Sequence, residues 1–295
     1  MGRRGREMSR AFDHLVLCVN DLEAARAGYQ RLGFTLTPRA EHPFGTANSL
    51  VQLDGNFLEL LAVSDPAKVP PARPGHFSFG AFNRDFLTRG EGFSMLVLQT
   101  ADARRDQAAF AASGLETYAP FDFSRAARLP DGREVTVGFS LAFVTEPRMP
   151  EAAFFVCQQH NPEYFWNPAY QRHANGARTI SAVVMAADEP GRFRDFFGKL
   201  LAPAATREEA GGFVFETGGG RLELVAPRRL AERLPGRAVA GPTPRLVGYT
   251  VAVEELVATR ALLEQNGVPF RSSDARLVVP PSHAFGVAIA FESAP

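Results

Sequence analysis

The chain has 295 residues, of which 45% are apolar and 22% are charged, a composition typical of a folded protein with a sizeable core. The 32 basic residues balance the 32 acidic residues, so neither nucleic acid nor an anionic membrane surface is an expected partner. No apolar run approaches the ~20 residues of a membrane-spanning helix. The two cysteines, Cys18 and Cys157, are too few for a disulfide framework, and we therefore expect a cytoplasmic protein.

The N-terminal segment reads as one strand, one helix and three more strands. Residues 12–19 form a short run of bulky side chains typical of a strand. Residues 22–32 carry apolar side chains at helical spacing, and Gly33 follows where a C-terminal cap is expected. The three further strands are predicted at residues 34–38, 49–53 and 57–63.

This β-α-β-β-β order recurs along the chain. New first strands are predicted at residues 95–99, 179–185 and 246–253, and each is followed by a helix-like segment, at 102–113, 190–200 and 256–265. Later strands are predicted at 135–144, 153–158, 212–216, 221–225, 277–279 and 287–291. The repetition predicts an α+β fold of four βαβββ modules, with one pair over residues 11–160 and a second pair over 178–295.

Aromatic residues are unusually abundant, since the chain contains 25 phenylalanines. Residues 76–89 and 161–170 are rich in them and are expected to pack as ordered loops or short helices. The aromatic density suits an apolar pocket as well as an ordinary core. The side chains predicted to line or close such a pocket are Phe44, Phe57, Phe139, Phe154 and Trp166, with Asn48 orienting a ligand or capping a turn.

Several short motifs resemble one known superfamily. They are FDHLVL at residues 12–17, LGF at 32–34, GTAN at 45–48, FLELL at 57–61 and HANGA at 173–177. Together they resemble the vicinal-oxygen-chelate superfamily, which includes glyoxalases, bleomycin-resistance proteins and extradiol dioxygenases. The resemblance implies that the modules pair into curved mixed sheets around a metal or ligand cavity, with the helices on the outside. It also implies that metal ligands come from the first and last strands of modules.

His14 and Glu59 are the candidate ligands in the first module. Strand alternation places each on a face that is otherwise apolar, where an imidazole and a carboxylate suit a divalent ion such as zinc, manganese, iron or nickel. The corresponding positions of the second module are taken to be Ser94 and Cys157, of which Cys157 could bind a metal as a thiolate. The alternative is a hydrogen-bonded polar pair with no metal. In the C-terminal pair, where Ser181 and Gly248 are assigned to the first strands, the ligand pattern is missing and a structural role is favoured.

The resemblance implies a glyoxalase-like protein for a small molecule. One hypothesis is a metal-dependent lyase or isomerase acting on a carbonyl- or enol-containing substrate, with Glu59 as a ligand or as the base in proton transfer. The other is a metal-free binding or sequestration protein of the bleomycin-resistance type. The partner is a small molecule in both cases, and a homodimer is compatible with either.

Overall fold

The computed structural model describes residues 9–128, 132–234, 244–273 and 275–294. The strands of these residues assemble into two mixed sheets, one of nine strands and one of eight. The first sheet has the order β2-β3-β4-β1-β5-β9-β8-β6, with β7 paired to β8. The elements that build this half are β1 (Phe12–Cys18), α1 (Leu22–Arg31), β2 (Ala40–Glu41), β3 (Thr46–Gln52), β4 (Phe57–Val63), α2 (Phe79–Leu87), β5 (Gly92–Gln99), α3 (Ala103–Ala112), β6 (Glu116–Thr117), β7 (Phe121–Arg128), β8 (Glu134–Thr145), β9 (Ala153–Gln159) and α4 (Pro162–Phe165).

The second sheet repeats this plan. Its order is β11-β12-β13-β10-β14-β17-β16-β15. Its elements are β10 (Ala177–Ala186), α5 (Arg194–Leu200), β11 (Ala205–Glu209), β12 (Gly212–Glu216), β13 (Arg221–Val225), α6 (Pro227–Arg233), β14 (Arg245–Val253), α7 (Leu256–Gln265), β15 (Arg271–Ser272), β16 (Leu277–Val279) and β17 (Ala288–Ser293).

The predicted four-module α+β architecture is confirmed by the strand pairing. In every module the first strand runs parallel to the last, as β1 with β4, β5 with β9, β10 with β13 and β14 with β17. The two modules of each half then join through their antiparallel first strands, β1 with β5 and β10 with β14. Each sheet is therefore continuous across its two modules.

One predicted strand is absent, and one strand of eight residues was not predicted. Residues 34–38 form no strand: one backbone bond, from Thr37 N to Leu50 O, ties them to β3, and Pro38 has no N–H with which to continue a ladder. The strand at this edge is the short β2. Conversely, the sequence reading missed β7, which pairs with β8 along eight residues.

The helix-bearing faces of the two sheets pack against each other. One cluster of buried side chains includes residues of both sheets together with α1, α3, α5 and α7. Phe93 of β5 meets Tyr249 of β14 with ring centroids 5.2 Å apart, and Phe154 of β9 meets Phe197 of α5 at 5.5 Å. These four helices thus lie between the two halves. No helix among the described residues is long and apolar enough to cross a membrane.

The opposite face of the C-terminal sheet is filled by α6. Leu230 and Leu234 are fully buried there against Val184 and Ala290. Gly248 leaves room for this helix, since a Cβ at that position would lie 2.6 Å from Leu234 Cδ1. The corresponding face of the N-terminal sheet keeps a cavity, which is the candidate site.

Candidate functional site

An aromatic cavity of about 50 Å³ lies on the face of the N-terminal sheet opposite to α1 and α3. This is room for roughly three to five waters, or for one end of a small molecule. An outer cleft of about 560 Å³ adjoins it, because Asn48, Leu50, Arg125 and Phe165 line both. The small inner cavity and the larger outer cleft therefore share part of their walls. The inner cavity is lined by His14, His42, Phe44, Asn48, Leu50, Phe57, Glu59, Phe79, Phe123, Arg125, Phe139, Leu141, Phe155, Cys157 and Phe165.

His14 is held rigidly at the inner end of this cavity. Its ring stacks on Phe57 at 4.3 Å and meets the edge of Phe155 at 5.5 Å. Nδ1 lies 2.6 Å from Asp13 Oδ1, while Nε2 lies 3.6 Å from Glu59 Oε2, beyond ordinary hydrogen-bond range. The imidazole therefore has one carboxylate fixing its orientation and a second one beside its other nitrogen.

Asp13 reaches this site through a β-bulge that the sequence reading missed. Between β1 and β5, Phe12 pairs with Leu98 and His14 pairs with the adjacent Val97. Asp13 is therefore an extra residue in β1 that has no partner in β5. Simple alternation would place Asp13 on the helix face. Instead its carboxylate contacts His14, and Gln159 Nε2 donates to its second oxygen at 3.1 Å.

Asn48 connects Glu59 to a second histidine, which the sequence reading also missed. Its Nδ2 donates to Glu59 Oε1 at 2.6 Å and lies 3.2 Å from His42 Nε2. Since His42 Nε2 then accepts, the proton sits on Nδ1, which lies 2.8 Å from Thr46 Oγ1. Asn48 Oδ1 is buried and has no hydrogen-bond partner among the described residues. One acceptor in the cavity is thus left for a ligand or water.

We expect acid to destabilise the protein through His42. Burial lowers the pKa of His42 below its ordinary 6.5, and the charge of Arg125 acts in the same direction, while Glu59 opposes both. The stability contributed by the neutral ring is therefore present above pH 6.5 and is lost as pH falls through the lowered pKa, by at most about 1.4 kcal/mol per pH unit. Urea unfolding of the wild type and of His42→Gln between pH 7.5 and 5 measures this. Equal pH slopes in the two proteins would contradict the prediction.

The strand register corrects the assumed counterparts of His14 and Glu59. His14 pairs with Phe57 as Met95 pairs with Ala153, so Met95 matches His14. Two residues further along the last strands, Phe155 matches Glu59, so Cys157 is not its counterpart. Ser94 is instead the bulge residue of β5, and its hydroxyl donates to Asn83 Oδ1 at 2.6 Å. By the same register, the counterpart of His14 in the third module is Ala182 and not Ser181. In the fourth module it is Gly248, as expected.

These residues do not fit a catalytic metal held by three protein ligands. Two of the four expected positions are the apolar Met95 and Phe155, and among the residues that the structure describes no three His, Cys, Asp or Glu side chains are grouped to hold an ion. Cys157 lines the cavity, where burial and the charges of Asp13 and Glu59 raise the pKa of its thiol.

The predicted pocket residues are mostly brought together. Phe44, Asn48, Phe57 and Phe139 line the inner cavity, and Trp166 lines the outer cleft. Phe154 was wrongly assigned, because alternation along β9 turns it to the helix face. Its neighbour Phe155 lines the cavity instead. Arg125 also lines both spaces, and it was missed because β7 was not predicted.

Comparison with known proteins agrees with this fold. The glyoxalase-like domain family matches residues 12–201. A hypothetical protein from Staphylococcus aureus superposes with a TM-score of 0.66 at 13% identity, covering 96% of this chain and 99% of that chain. A mutant 4-hydroxymandelate synthase from Streptomyces coelicolor gives a TM-score of 0.59 at 11% identity, with 98% and 94% covered.

The Mn(II)-bound glyoxalase from Novosphingobium aromaticivorans gives a TM-score of 0.56 at 14% identity, covering 97% of this chain and 83% of that chain. No curated protein matches the chain by sequence. At these identities the solved structures show the shared fold alone. The family match covers more than half of the residues, from β1 to the end of α5, and the chain therefore belongs to the glyoxalase-like domain family.

Proposed function

We propose that the chain is a metal-independent binding protein for a small, partly apolar molecule that carries a hydroxyl or enol group. The observation that carries the proposal is the buried Oδ1 of Asn48 inside the aromatic cavity, which has no hydrogen-bond partner in the described part of the chain. An acceptor left unpaired in such a place costs about 1–3 kcal/mol, which a donor on a ligand removes. The apolar counterparts Met95 and Phe155 support binding without a resident metal.

The polar groups at the inner end define what this molecule offers. Asn48 Oδ1 accepts a hydrogen bond, Glu59 adds a carboxylate whose Oε1 is already bonded to Asn48, and His14 presents Nε2. Because His14 Nδ1 donates to Asp13, the neutral ring presents Nε2 as an acceptor, and a hydroxyl or enol can donate either to Asn48 Oδ1 or to His14 Nε2. The phenylalanine rings around it favour an apolar body for the rest of the ligand.

A second candidate function is a metal-dependent lyase or isomerase. It is favoured by the bond between His14 Nδ1 and Asp13, because metal-binding histidines usually have their other nitrogen held by a carboxylate. The metal would be zinc, manganese, iron or nickel on His14 and Glu59, and it would polarise a substrate oxygen. Glu59 would then be a ligand or the proton-transfer base.

Metal titration combined with a phenol probe separates the two candidates. The single tryptophan, Trp166, lines the outer cleft and reports entry by its fluorescence. We expect 3-hydroxybenzamide, a stable aromatic enol, to bind chelator-treated protein as tightly as untreated protein, and benzamide, without the hydroxyl, to bind less tightly. Stoichiometric uptake of zinc, manganese, iron or nickel, with probe binding that depends on it, would overturn the metal-free proposal and favour the second candidate.

A further inference from the structure

We propose that the ligand is an organic acid, and that Arg125 receives its carboxylate between the inner cavity and the outer cleft. This inference rests on the proposed binding function and adds the chemical class of the ligand. Three features of the site bear on this role: the direction of the Arg125 side chain, the absence of an ion-pair partner for it among the described residues, and the neutral polar group that the opposite end of the site can bind.

The strand β7 directs Arg125 inward. Phe121 and Phe123 pack on the aromatic cluster of the cavity, and Arg125 is the next residue on the same face of the strand. Asp122 and Ser124 point the other way and are exposed. Arg125 pairs with the buried Val137 of β8 and lines both the cavity and the cleft. Arg125 therefore lies between the two spaces.

The charge of Arg125 is unused among the residues that the structure describes, where it forms neither an ion pair nor a hydrogen bond. Burial lowers its pKa, and the charge of Glu59 opposes that effect, so the cation is partly desolvated without a contacting anion. Arg39, at the same cleft, differs because it pairs with Glu41 at 2.7 Å. A guanidinium in this situation calls for an acceptor, and a carboxylate matches its planar donors.

The acids near the cavity already have donors. Asp13 accepts from Gln159 and lies within hydrogen-bond distance of His14, and Glu59 accepts from Asn48. Their charges also make a second negative charge on the ligand unfavourable, which favours a monoanionic carboxylate over a phosphate dianion. The ligand would place its hydroxyl or enol at Asn48 and its carboxylate at Arg125.

Paired acids and amides test this assignment. The probes are 3-hydroxybenzoate and 3-(3-hydroxyphenyl)propanoate, each with its primary amide, which keeps the shape and removes the charge. Trp166 fluorescence and calorimetry measure their dissociation constants in the full-length protein. We expect at least one acid to bind roughly tenfold more tightly than its amide, in keeping with hydrogen bonds to a charged group, and the difference to shrink as salt is raised.

Arg125→Gln should abolish the preference for the acid by weakening the binding of the acid more than that of the amide, whereas Arg125→Lys should keep part of the preference. Arg39→Gln is the matched control, since it removes a paired guanidinium from the same cleft and should preserve the preference. Thermal unfolding of each variant verifies folding. The inference about Arg125 alone would be overturned if the amides bind but the acids are not preferred, or if the preference survives Arg125→Gln. It would also be overturned if phenyl phosphate binds more tightly than the acids. Failure of every acid and amide to bind would overturn the proposed function as well.

Discussion

Replacing His14 with alanine should weaken binding of 3-hydroxybenzamide by about 10- to 100-fold, the range expected when a hydrogen bond is lost and its partner is left unpaired in a buried site. His14 stacks on Phe57, and its Nδ1 lies against Asp13 while Nε2 lies near Glu59. Removing the imidazole takes one wall from the inner cavity and leaves the Asp13 carboxylate without its neighbour. Fluorescence titration through Trp166 gives the dissociation constant.

Met95→Leu is the matched control for this substitution, because Met95 is the register counterpart of His14 in the second module and carries no polar group. It should leave probe affinity within about twofold, because Met95 is not among the residues that line the inner cavity and leucine has a similar volume. If the metal-dependent candidate is correct, His14→Ala should instead release a bound ion together with the ligand, and chelator treatment of the wild type should reproduce its effect. Unchanged affinity in His14→Ala would contradict both candidate functions.

Much of the fold could be predicted from sequence because each module buries one face of a short sheet under one helix. Burying that face requires a strand of bulky residues, followed by a helix with an apolar stripe, and both patterns are recognisable in the sequence. A glycine often ends the helix, as does Gly33, which adopts a φ of +87°. The strand and helix recur four times, and the glycine follows the helix in three of the modules, as Gly33, Gly114 and Gly267. The short edge strand β2 and the aromatic-polar β7 lacked such a signal, since neither is defined by a helix packed on it.

The site was less predictable, because bulges decide which side chains face the cavity. His14 and Glu59 sit on regular stretches of strand, and alternation places both against the cavity. Asp13 and Ser94 sit at bulges, where an extra residue shifts the count by one. That shift explains why Ser94 was matched with His14 although Met95 is the true counterpart. His42 precedes β3 in a turn, and only its contact with Asn48 reveals its place.

Replacing Phe154 with alanine should cost about 3–5 kcal/mol of unfolding free energy, the usual range for a fully buried phenylalanine. Phe154 is inaccessible to solvent on β9, and its ring meets Phe196 at 5.3 Å and Phe197 at 5.5 Å, both from the C-terminal half. Truncation would therefore leave a void between the two halves. Urea unfolding measures the loss, and Val257→Ala, at an exposed surface position, should change stability by less than about 0.5 kcal/mol.

The same experiment tests whether the halves fold as one unit. Because buried residues of both sheets form one continuous cluster, neither half can unfold without exposing apolar surface of the other. Trp166 fluorescence, which reports on the N-terminal half through its contact with Phe57, should therefore show the same urea midpoint as far-UV circular dichroism, which reports on both halves. Phe154→Ala should lower both midpoints together. Separate midpoints in the wild type, or a loss below about 1 kcal/mol in the variant, would show that residues 11–160 and 178–295 are independent folding units joined by a weak interface.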